Sequence, residues 1–293
     1  MRFSWPWQTG KMRNYMKDQI LLINDLAGYG KVALSAMLPV MTHAGLNLYN
    51  LPTALVSNTL DYGKFEILET TEYMRKTMKV WAELGFSFDA VCTGFIASKE
   101  QVKLISGYLR EQKKKGTWIF VDPIMGDEGK LYNGIEEKTV GYMRDLCSLA
   151  DVIVPNLTEA SFLAGMCQGK EVITQGEGRE ILKKLRKLGA KSIVITSVKT
   201  EAGDFVLIYD HQTDTVSELP FEQIPVRFPG TGDIFSAILA SQVLNGTALE
   251  KAAQRAMSAV RQLIAINHET VDKFKGIPIE KNLEVLNFES SED

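Results

Sequence analysis

Residues 229–233 combine a glycine-rich turn with an acidic side chain, and phosphoryl transfer requires groups of both kinds. The segment reads Pro-Gly-Thr-Gly-Asp and leads into an apolar pattern with helical spacing. Gly230 and Gly232, on either side of Thr231, let successive N–H groups face outward where the helix begins, and such a helix start binds phosphate. Asp233 is then well placed to take the proton from a substrate hydroxyl as it attacks phosphorus. Helix capping by Asp233 explains this short segment equally well.

Two segments that follow predicted strands carry carboxylates suited to a magnesium ion. Asp122 and Asp127 belong to the loop at residues 122–130, and Glu159 follows Asn156 by three residues. Magnesium takes oxygen ligands, usually one or two carboxylates completed by water and substrate phosphates. The structural alternatives are a solvated turn and a helix cap formed by Asn156 and Glu159.

Thr196 and Ser197 add two hydroxyl groups beyond another predicted strand. Hydroxyl groups at a strand end can donate hydrogen bonds to phosphate oxygens. Together with residues 229–233 and the carboxylates, they indicate a site for phosphoryl transfer from a nucleotide along one edge of a sheet.

Residues 28–33 match the loose G-x-G-x-x-A pattern of dinucleotide-binding proteins. That interpretation also needs an acidic residue at the end of the second strand, but the first acid after that strand is Asp61. A Walker A loop is excluded because Lys31 is followed by Val32 and the four-residue spacer is missing. We favour a glycine turn that leads into a helix, with a nicotinamide oxidoreductase as the alternative.

Alternating strand and helix patterns must position these side chains, and they predict one doubly wound α/β domain with a mostly parallel sheet. Apolar runs predict strands at residues 20–24, 46–55, 90–93, 118–122, 152–155 and 192–196. Helical spacing is found at residues 32–44, 72–84, 99–115, 136–149, 179–188, 233–244 and 249–267. Residues 205–210 and 215–219 predict an antiparallel hairpin, and Thr247 and Glu250 have capping-box spacing. Ligands of such sheets bind outside the carboxyl ends of the strands, where the candidate residues lie.

Composition and charge narrow the classes of partner. Of 293 residues, 45% are apolar and 24% are charged, and 33 basic against 36 acidic residues give a formal net charge of −3. This near balance argues against nucleic acid or an anionic membrane as a partner. No apolar run approaches the roughly 18 residues of a membrane span.

Scattered cysteines indicate the cellular compartment. Cys92, Cys147 and Cys167 lie far apart, which predicts free thiols in a reducing cytoplasm. Three histidines offer no His/Cys metal cluster. Residues 1–19 contain no continuous apolar stretch and predict a disordered extension, before a domain at residues 20–288 and a flexible tail at residues 289–293.

The order of these segments resembles that of the ribokinase-like superfamily, and within it the vitamin B6 (pyridoxal/pyridoxamine) kinases. The resemblance extends from Ile20 to about His268. It depends on residues 28–30, 55–58 with 62–63, 93–95, 122–127, 155–160, 195–197 and 230–233. It implies a kinase that uses ATP and Mg²⁺ on a B6 vitamer and forms a homodimer.

The resemblance also implies a role for each candidate residue. Asp233 matches the catalytic base, and Gly230, Thr231 and Gly232 match the segment that holds the transferring phosphoryl group. Asp122, Asp127 and Glu159 match positions that handle Mg²⁺, and Asn156, Thr196, Ser197 and Asp122 match positions that contact ATP phosphates. The implied substrate contacts are Asp25, Val32, Ser57, Thr59 and Phe95.

Three of these substrate contacts depart from the pattern of well-known B6 kinases. Asp25 stands where they have serine, Thr59-Leu60 replaces their His-Thr, and Phe95 replaces a common tyrosine. Asp25 can pair with a protonated amine or ring nitrogen, which suits a B6 vitamer and also hydroxymethylpyrimidine, the substrate of a sister family. Members of that sister family often carry cysteine where this chain has Asp233. A B6 vitamer is therefore the expected substrate; the alternatives are a hydroxymethylpyrimidine kinase, a carbohydrate kinase and a non-catalytic nucleotide- or vitamin-binding protein.

Overall fold

An eight-stranded sheet is the centre of the computed structural model, which describes residues 18–132 and 137–288. The strands, in chain order, are β1 (Gln19–Ile23), β2 (Leu26–Ala27), β3 (Asn47–Asn50), β4 (Ala54–Val56), β5 (Ile67–Glu69), β6 (Ala90–Thr93), β7 (Trp118–Val121), β8 (Gly126–Asp127), β9 (Lys130–Leu131), β10 (Val152–Ile153), β11 (Ser192–Thr200), β12 (Gly203–Asp210) and β13 (Thr215–Phe221). The helices are α1 (Ala33–His43), α2 (Thr71–Leu84), α3 (Lys99–Lys114), α4 (Glu137–Cys147), α5 (Leu157–Ala164), α6 (Gln175–Leu188), α7 (Thr231–Leu244) and α8 (Leu249–Asn267). Short 3₁₀ turns cover Leu60–Tyr62, Lys273–Lys275, Ile279–Lys281 and Leu283–Leu286.

The strand order of the main sheet is β13-β12-β11-β10-β7-β6-β1-β3. The pairs from β11 to β3 are all parallel. At the other edge β11, β12 and β13 pair antiparallel, as the predicted hairpin at residues 205–219 requires. This arrangement confirms the prediction of a mostly parallel α/β sheet.

Strand β1 shows how helices cover both faces of the sheet. Its side chains alternate between two cores: Ile20 and Leu22 belong to the core that α1, α7 and α8 cover, whereas Leu21 and Ile23 belong to the core that α2 to α6 cover. All four side chains are fully buried, as expected for a strand inside a parallel sheet. Helices on both faces confirm the doubly wound class.

The predicted single strand at residues 46–55 is wrong, because the chain divides there between two sheets. β3 lies beside β1 in the main sheet, while β4 pairs with β2 and β5 in a separate three-stranded sheet. Pro52, between β3 and β4, has no N–H to donate to a strand ladder. The buried Thr53 hydroxyl donates to the Phe95 carbonyl (2.8 Å). This hydrogen bond anchors the chain where it passes from the main sheet to the second sheet. We call residues 54–69, which form β4, β5 and the turn between them, the flap.

Strand β11 continues past its predicted end at Thr196. Its register with β12 shifts between Ile195 and Val198, and Ser197 at this bulge has a left-handed φ of 54°. Thr196 and Ser197 therefore lie at a bulge within the strand and not beyond it. A bulge redirects side chains, so it can still present these hydroxyl groups at the edge of the site.

The predicted capping box at the start of α8 is also wrong. The N-cap residue is Ala248, and no side chain caps it. The Thr247 hydroxyl instead donates to Gln242 Oε1 (3.3 Å), and Glu250 accepts a hydrogen bond from the Ser217 hydroxyl. These more distant partners compete successfully with the local cap.

Only part of the predicted domain boundaries can be compared with the structure. Residues 1–17 and 289–293 lie outside the described residues, and so do residues 133–136, where α4 was predicted to begin. Gln19, assigned to the N-terminal extension, is the first residue of β1. No helix in residues 18–132 or 137–288 is long and apolar enough to cross a membrane.

Candidate active site

The carboxyl ends of four parallel strands bring the predicted site residues to one edge of the main sheet. Asn24 and Asp25 follow β1, Phe95 lies two residues after β6, and Asp122 follows β7. Asn156 lies three residues after β10. Helix α7 also begins at this edge, since Asp233 accepts hydrogen bonds from Asn24 after β1 and from the start of α1, and Ser236 donates to Asp122 after β7.

The start of α7 forms the predicted anion nest, which we define as residues 230–233. Gly230 is the N-cap residue with a left-handed φ of 84°, and no side chain caps the helix. The first N–H groups of a helix have no intrahelical acceptor, so those of the nest can bind an anion. A Cβ atom on Gly230 would lie 2.2 Å from the Lys31 carbonyl oxygen. Glycine is therefore required here both for the turn and for the close approach of the loop before α1.

The Asp233 carboxylate is held by hydrogen bonds from two other parts of the chain, the start of α1 and the residue after β1. Its Oδ2 accepts a hydrogen bond from the Ala33 backbone N–H at 2.8 Å, and Asn24 Nδ2 lies 3.4 Å from its Oδ1. Burial raises the pKa of the carboxyl, and the two hydrogen bonds lower it in part. A buried carboxylate with a raised pKa accepts a proton more readily than an exposed one.

Asn24 is a site residue that sequence reasoning did not select. Its Oδ1 accepts hydrogen bonds from the N–H groups of Asp25 (3.0 Å) and Phe95 (2.7 Å), while Nδ2 faces Asp233. A Cβ atom on Gly94 would lie within 2.5 Å of the Asn24 amide, so glycine at that position makes room for it. The feature of the sequence that could have identified Asn24 is its position directly after a buried strand. Its contacts make it a positioning residue for Asp25 and Asp233.

Asp122 is joined to α7 through a second residue that sequence reasoning missed. The Ser236 hydroxyl, one helical turn after Asp233, donates to Asp122 Oδ2 at 2.7 Å. Burial raises the pKa of Asp122 to about 7; the Ser236 hydrogen bond opposes this shift and the charge of Asp233 adds to it. A cation bound at this edge would relieve the repulsion between the two carboxylates.

Asp25 is a third carboxyl group in the same electrostatic cluster. Burial and, to a smaller extent, the charge of Asp233 together raise its pKa to about 7, while a backbone hydrogen bond opposes the shift. A cation beside such a carboxyl group would stabilise its ionised form and lower its pKa. The cationic partner that the sequence predicts for Asp25 stays a prediction.

We expect an Asp25→Asn variant to lose part of the pH dependence of stability. Because the pKa of Asp25 is higher in the folded than in the unfolded protein, the folded state binds more protons between its two pKa values. Stability is therefore greater at acidic pH and falls as the pH rises towards 7. The wild-type Tm should fall by a few degrees from about pH 6 to about pH 8, and that of the variant should fall less. Melting curves without ligand measure this, with Glu201→Gln in the exposed β11–β12 turn as the control; parallel curves for all three proteins would contradict it.

Asn156 and Glu159 form the helix cap that was one of the two interpretations of their spacing. The Asn156 side chain accepts the Glu159 N–H, and Glu159 Oε2 accepts the Asn156 N–H, both at 2.9 Å. Glu159 Oε1 also accepts the Met125 N–H at 3.0 Å, and Asn156 Nδ2 donates to the Gly126 carbonyl at 2.8 Å. Burial and the charge of Asp122 raise the pKa of Glu159 well above its usual value. The pair therefore anchors the loop that carries Asp127.

The oxygen donors at this edge fit a magnesium ion that substrate phosphates complete. Asp122 is partly accessible, and within residues 18–132 and 137–288 the exposed Asp127 carboxylate accepts a single hydrogen bond, from the Glu128 N–H at 2.9 Å. Among the described residues, no three His, Cys, Asp or Glu side chains converge to hold a metal by themselves. Magnesium bound by one or two carboxylates together with phosphates needs no such cluster.

The other predicted substrate contacts lie in the flap and the loops that face it. Val32 precedes α1 and is half-buried, and so is Phe95. The Ser57 hydroxyl donates to Asn58 Oδ1 and accepts the Glu66 N–H, so both bonds lie within the flap. Thr59 is buried, and its hydroxyl donates to the Phe274 carbonyl at 2.7 Å. Any substrate contact of the Thr59 hydroxyl would have to replace that bond.

The chain is similar to one protein-family model, to curated proteins and to solved structures. Residues 34–277 match the model of the family described as phosphomethylpyrimidine kinase. A pyridoxal kinase from Arabidopsis thaliana is 32% identical over 215 residues, which cover 69% of this chain and 66% of that protein.

Two crystal structures are similar to this chain over nearly its whole length. A Bacteroides thetaiotaomicron protein assigned as a phosphomethylpyrimidine kinase, crystallised with pyridoxal, is 32% identical with a TM-score of 0.88, covering 92% of this chain and 96% of that one. Pyridoxal kinase from Lactobacillus plantarum is 28% identical with a TM-score of 0.83, again covering 92% and 96% of the two chains.

Proposed function

The chain belongs to the phosphomethylpyrimidine kinase family, and we propose that it transfers the γ-phosphoryl group of ATP to the 5′-hydroxymethyl group of a vitamin B6 vitamer. One observation carries this proposal: the Asp233 carboxylate lies in the first turn of α7, within a nest of uncapped N–H groups. A proton acceptor and a phosphate site thus share one helix start, as transfer to a hydroxyl group requires.

The identity of the acceptor is supported by the chain's relatives. The Arabidopsis and Lactobacillus proteins are named pyridoxal kinases, and the Bacteroides protein was crystallised with pyridoxal. The raised pKa of Asp25, which burial causes, suits a substrate with a protonated amine or ring nitrogen. B6 vitamers carry a pyridine nitrogen, and pyridoxamine carries an amine as well.

In the proposed mechanism Asp233 removes the proton of the substrate hydroxyl as its oxygen attacks the γ-phosphorus. The Ala33 N–H occupies Oδ2 and the Asn24 amide lies near Oδ1, so the carboxylate is oriented before substrate binds. The N–H groups of the nest stabilise the negative charge that develops on the phosphoryl oxygens. ADP then leaves, and the proton remains on the Asp233 carboxyl until solvent takes it.

Magnesium binding at the same edge is also part of the proposal. Asp122 and Asp127 would hold the ion together with ATP phosphates, and Glu159 would keep their loop in place through the Met125 N–H. The ion would neutralise phosphate charge during transfer. Asn156, Thr196 and Ser197 are the proposed contacts to the nucleotide phosphates.

A Glu159→Gln variant should need more Mg²⁺ for half-maximal activity, with little change in the KM of the vitamer. Glutamine keeps one oxygen for a backbone N–H but loses the charge and the second acceptor. We expect a shift of about three- to tenfold, since the loop that carries Asp127 loosens. Magnesium titrations at saturating ATP measure this shift. An unchanged titration would leave Glu159 as a helix cap only.

A hydroxymethylpyrimidine kinase is the second candidate, because the matching family model is described by phosphomethylpyrimidine. Asp233 favours the B6 vitamer, since members of the sister family often carry cysteine there. Release of ADP should be measured with three vitamers, hydroxymethylpyrimidine and ribose as acceptors. We expect the largest kcat/KM with a vitamer; a larger value with hydroxymethylpyrimidine would favour the second candidate, and no turnover with any acceptor would reject both.

We further propose that the protein is a cytoplasmic homodimer. Cys92 and Cys147 are free, buried thiols, as is typical of a reducing compartment. Leu26, Leu55 and Leu68 lie in register on β2, β4 and β5, and all three side chains are exposed. An exposed apolar row of this kind favours a protein partner. Sedimentation velocity measures the state directly, and a monomer at micromolar concentration would contradict the dimer.

A further inference from the structure

An ion pair connects the flap to the segment that leads into α7. Arg227 Nη1 lies 2.6 Å from Asp61 Oδ1, in the 3₁₀ turn of the flap. The Asp61 side chain is mostly covered, but 64% of the Arg227 side chain is exposed. Neither residue is explained by the proposed mechanism.

The backbone places Arg227 beside the nest. Phe228, the next residue, is buried, and its carbonyl accepts a hydrogen bond from the Thr231 hydroxyl at 3.3 Å. Arg227 therefore stands three residues before Gly230 on a segment that is anchored to α7. Its side chain is therefore attached close along the chain to the proposed phosphate site.

Acidic groups of the proposed magnesium loop also act on the charge of the same guanidinium group. Besides Asp61, both Asp127 and Glu128 stabilise its charged form, while partial burial opposes this. The Arg227 charge also acts on Tyr132, at the far end of that loop. Arg227 thus belongs to the segment that leads into the nest, contacts the flap through Asp61, and interacts electrostatically with the loop that carries Asp127.

The pair with Asp61 is poorly suited to a purely structural role. Ion pairs with one exposed partner add little to stability, because water already solvates the charge. A polyphosphate carries more negative charge than one carboxylate, and the planar guanidinium group can bind two of its oxygens at once. Nucleotide phosphates would therefore displace Asp61 from Arg227.

We propose that Arg227 is a nucleotide-phosphate-binding residue that Asp61 holds in place before the nucleotide binds. This inference rests on the proposed function, because it assumes a nucleotide at the nest. Exchange of Asp61 for phosphate would release one of the flap's attachments. Two further attachments of the flap would remain: Tyr62 Oη donates to Asp272 at 2.7 Å, and the Thr59 hydroxyl donates to the Phe274 carbonyl.

Opposite effects of two substitutions on ADP binding test the proposal. Arg227→Gln should weaken ADP binding about ten- to a hundredfold, the effect of losing a charge-assisted contact. Asp61→Asn should tighten it about two- to fivefold, because the guanidinium group no longer has a competing carboxylate. Arg227→Lys should lie between Arg227→Gln and the wild type. Isothermal titration with ADP and Mg²⁺ measures all four proteins without turnover.

Arg179 and Glu218 supply a matched control. They form an ion pair at 3.1 Å with a similarly exposed arginine (61%), and they link α6 to β13. Arg179→Gln and Glu218→Gln should leave ADP affinity unchanged. Melting temperatures within a few degrees of the wild type show that each variant is folded.

Two results would overturn the proposal, and they differ from each other. If Arg227→Gln and Asp61→Asn change ADP affinity equally and in the same direction, the pair is only a flap attachment, and the proposed function is untouched. If the wild-type protein does not bind ADP at all, the proposed function and this inference fail together.

Discussion

Replacement of Asp233 by asparagine should lower kcat by about 10²–10⁴ while the protein stays folded and binds ADP. This range is what the loss of a general base costs. The asparagine oxygen can still accept the Ala33 N–H, so the geometry at the start of α7 is preserved. The amide has no proton affinity at neutral pH and cannot take the hydroxyl proton.

The stability of the Asp233→Asn variant separates a catalytic base from a residue that only stabilises the fold. Burial raises the pKa of Asp233, which means that its ionised form is costly in the folded protein. We therefore expect an unchanged or higher Tm together with the loss of turnover. A variant within threefold of the wild-type kcat would show that another group takes the proton.

Substitution of Gly230 by alanine should reduce both stability and activity. The new Cβ atom would lie 2.2 Å from the Lys31 carbonyl oxygen, and alanine would have to adopt a φ of 84°. The left-handed backbone and the overpacking each cost on the order of 1–3 kcal/mol. For a chain of this size we expect a Tm lowered by about 5–15 °C. Displacement of the Ala33 N–H from Asp233 should lower kcat about 10²-fold.

Gly232→Ala is the control for this prediction. A Cβ atom on Gly232 meets no atom within 4 Å, and the residue lies in the first turn of α7. Because alanine is the better helix former by about 1 kcal/mol, the Tm should be unchanged or higher. Equal melting temperatures for the two alanine variants would contradict the close approach of residues 28–33 to the nest.

The parallel sheet and its site edge were predictable because their signals are local. Each buried strand is a short apolar run, and polar residues such as Asp122 and Asn156 follow directly after these runs. Strand topology then places the residues after β1, β6, β7 and β10 at one edge. The nest was predictable because Gly230 and Gly232 stand immediately before a helical pattern.

The flap was not predictable, because its strands are too short to show a pattern. β2, β4 and β5 contain two or three residues each, and their pairing depends on partners up to 29 residues away, as for Leu26 and Leu55. The residues that orient the site were missed for a similar reason. Nothing in the local sequence distinguishes Ser236 or Arg227 from ordinary polar residues, and Asn24 was marked only by its place after a buried strand. The contacts of all three are with distant segments.

The interpretation of Glu159 shows where spacing leaves a choice open. The same three-residue separation from Asn156 suited a helix cap and a metal site. The structure contains the cap, with both carboxylate oxygens bound to backbone N–H groups. Whether the residue also supports magnesium depends on charge, which the Glu159→Gln titration measures.

The identity of the phosphorylated product shows whether the protein transfers phosphate from ATP to a B6 vitamer. The wild-type protein should be incubated with ATP, Mg²⁺ and pyridoxal, and the products analysed by ³¹P NMR and mass spectrometry. The proposed function predicts pyridoxal 5′-phosphate and an equal amount of ADP, with the yield of both lowered about 10²–10⁴-fold for the Asp233→Asn variant in the same time. ADP formed without a phosphorylated vitamer, or the same product yield from the variant in the same time, would contradict it.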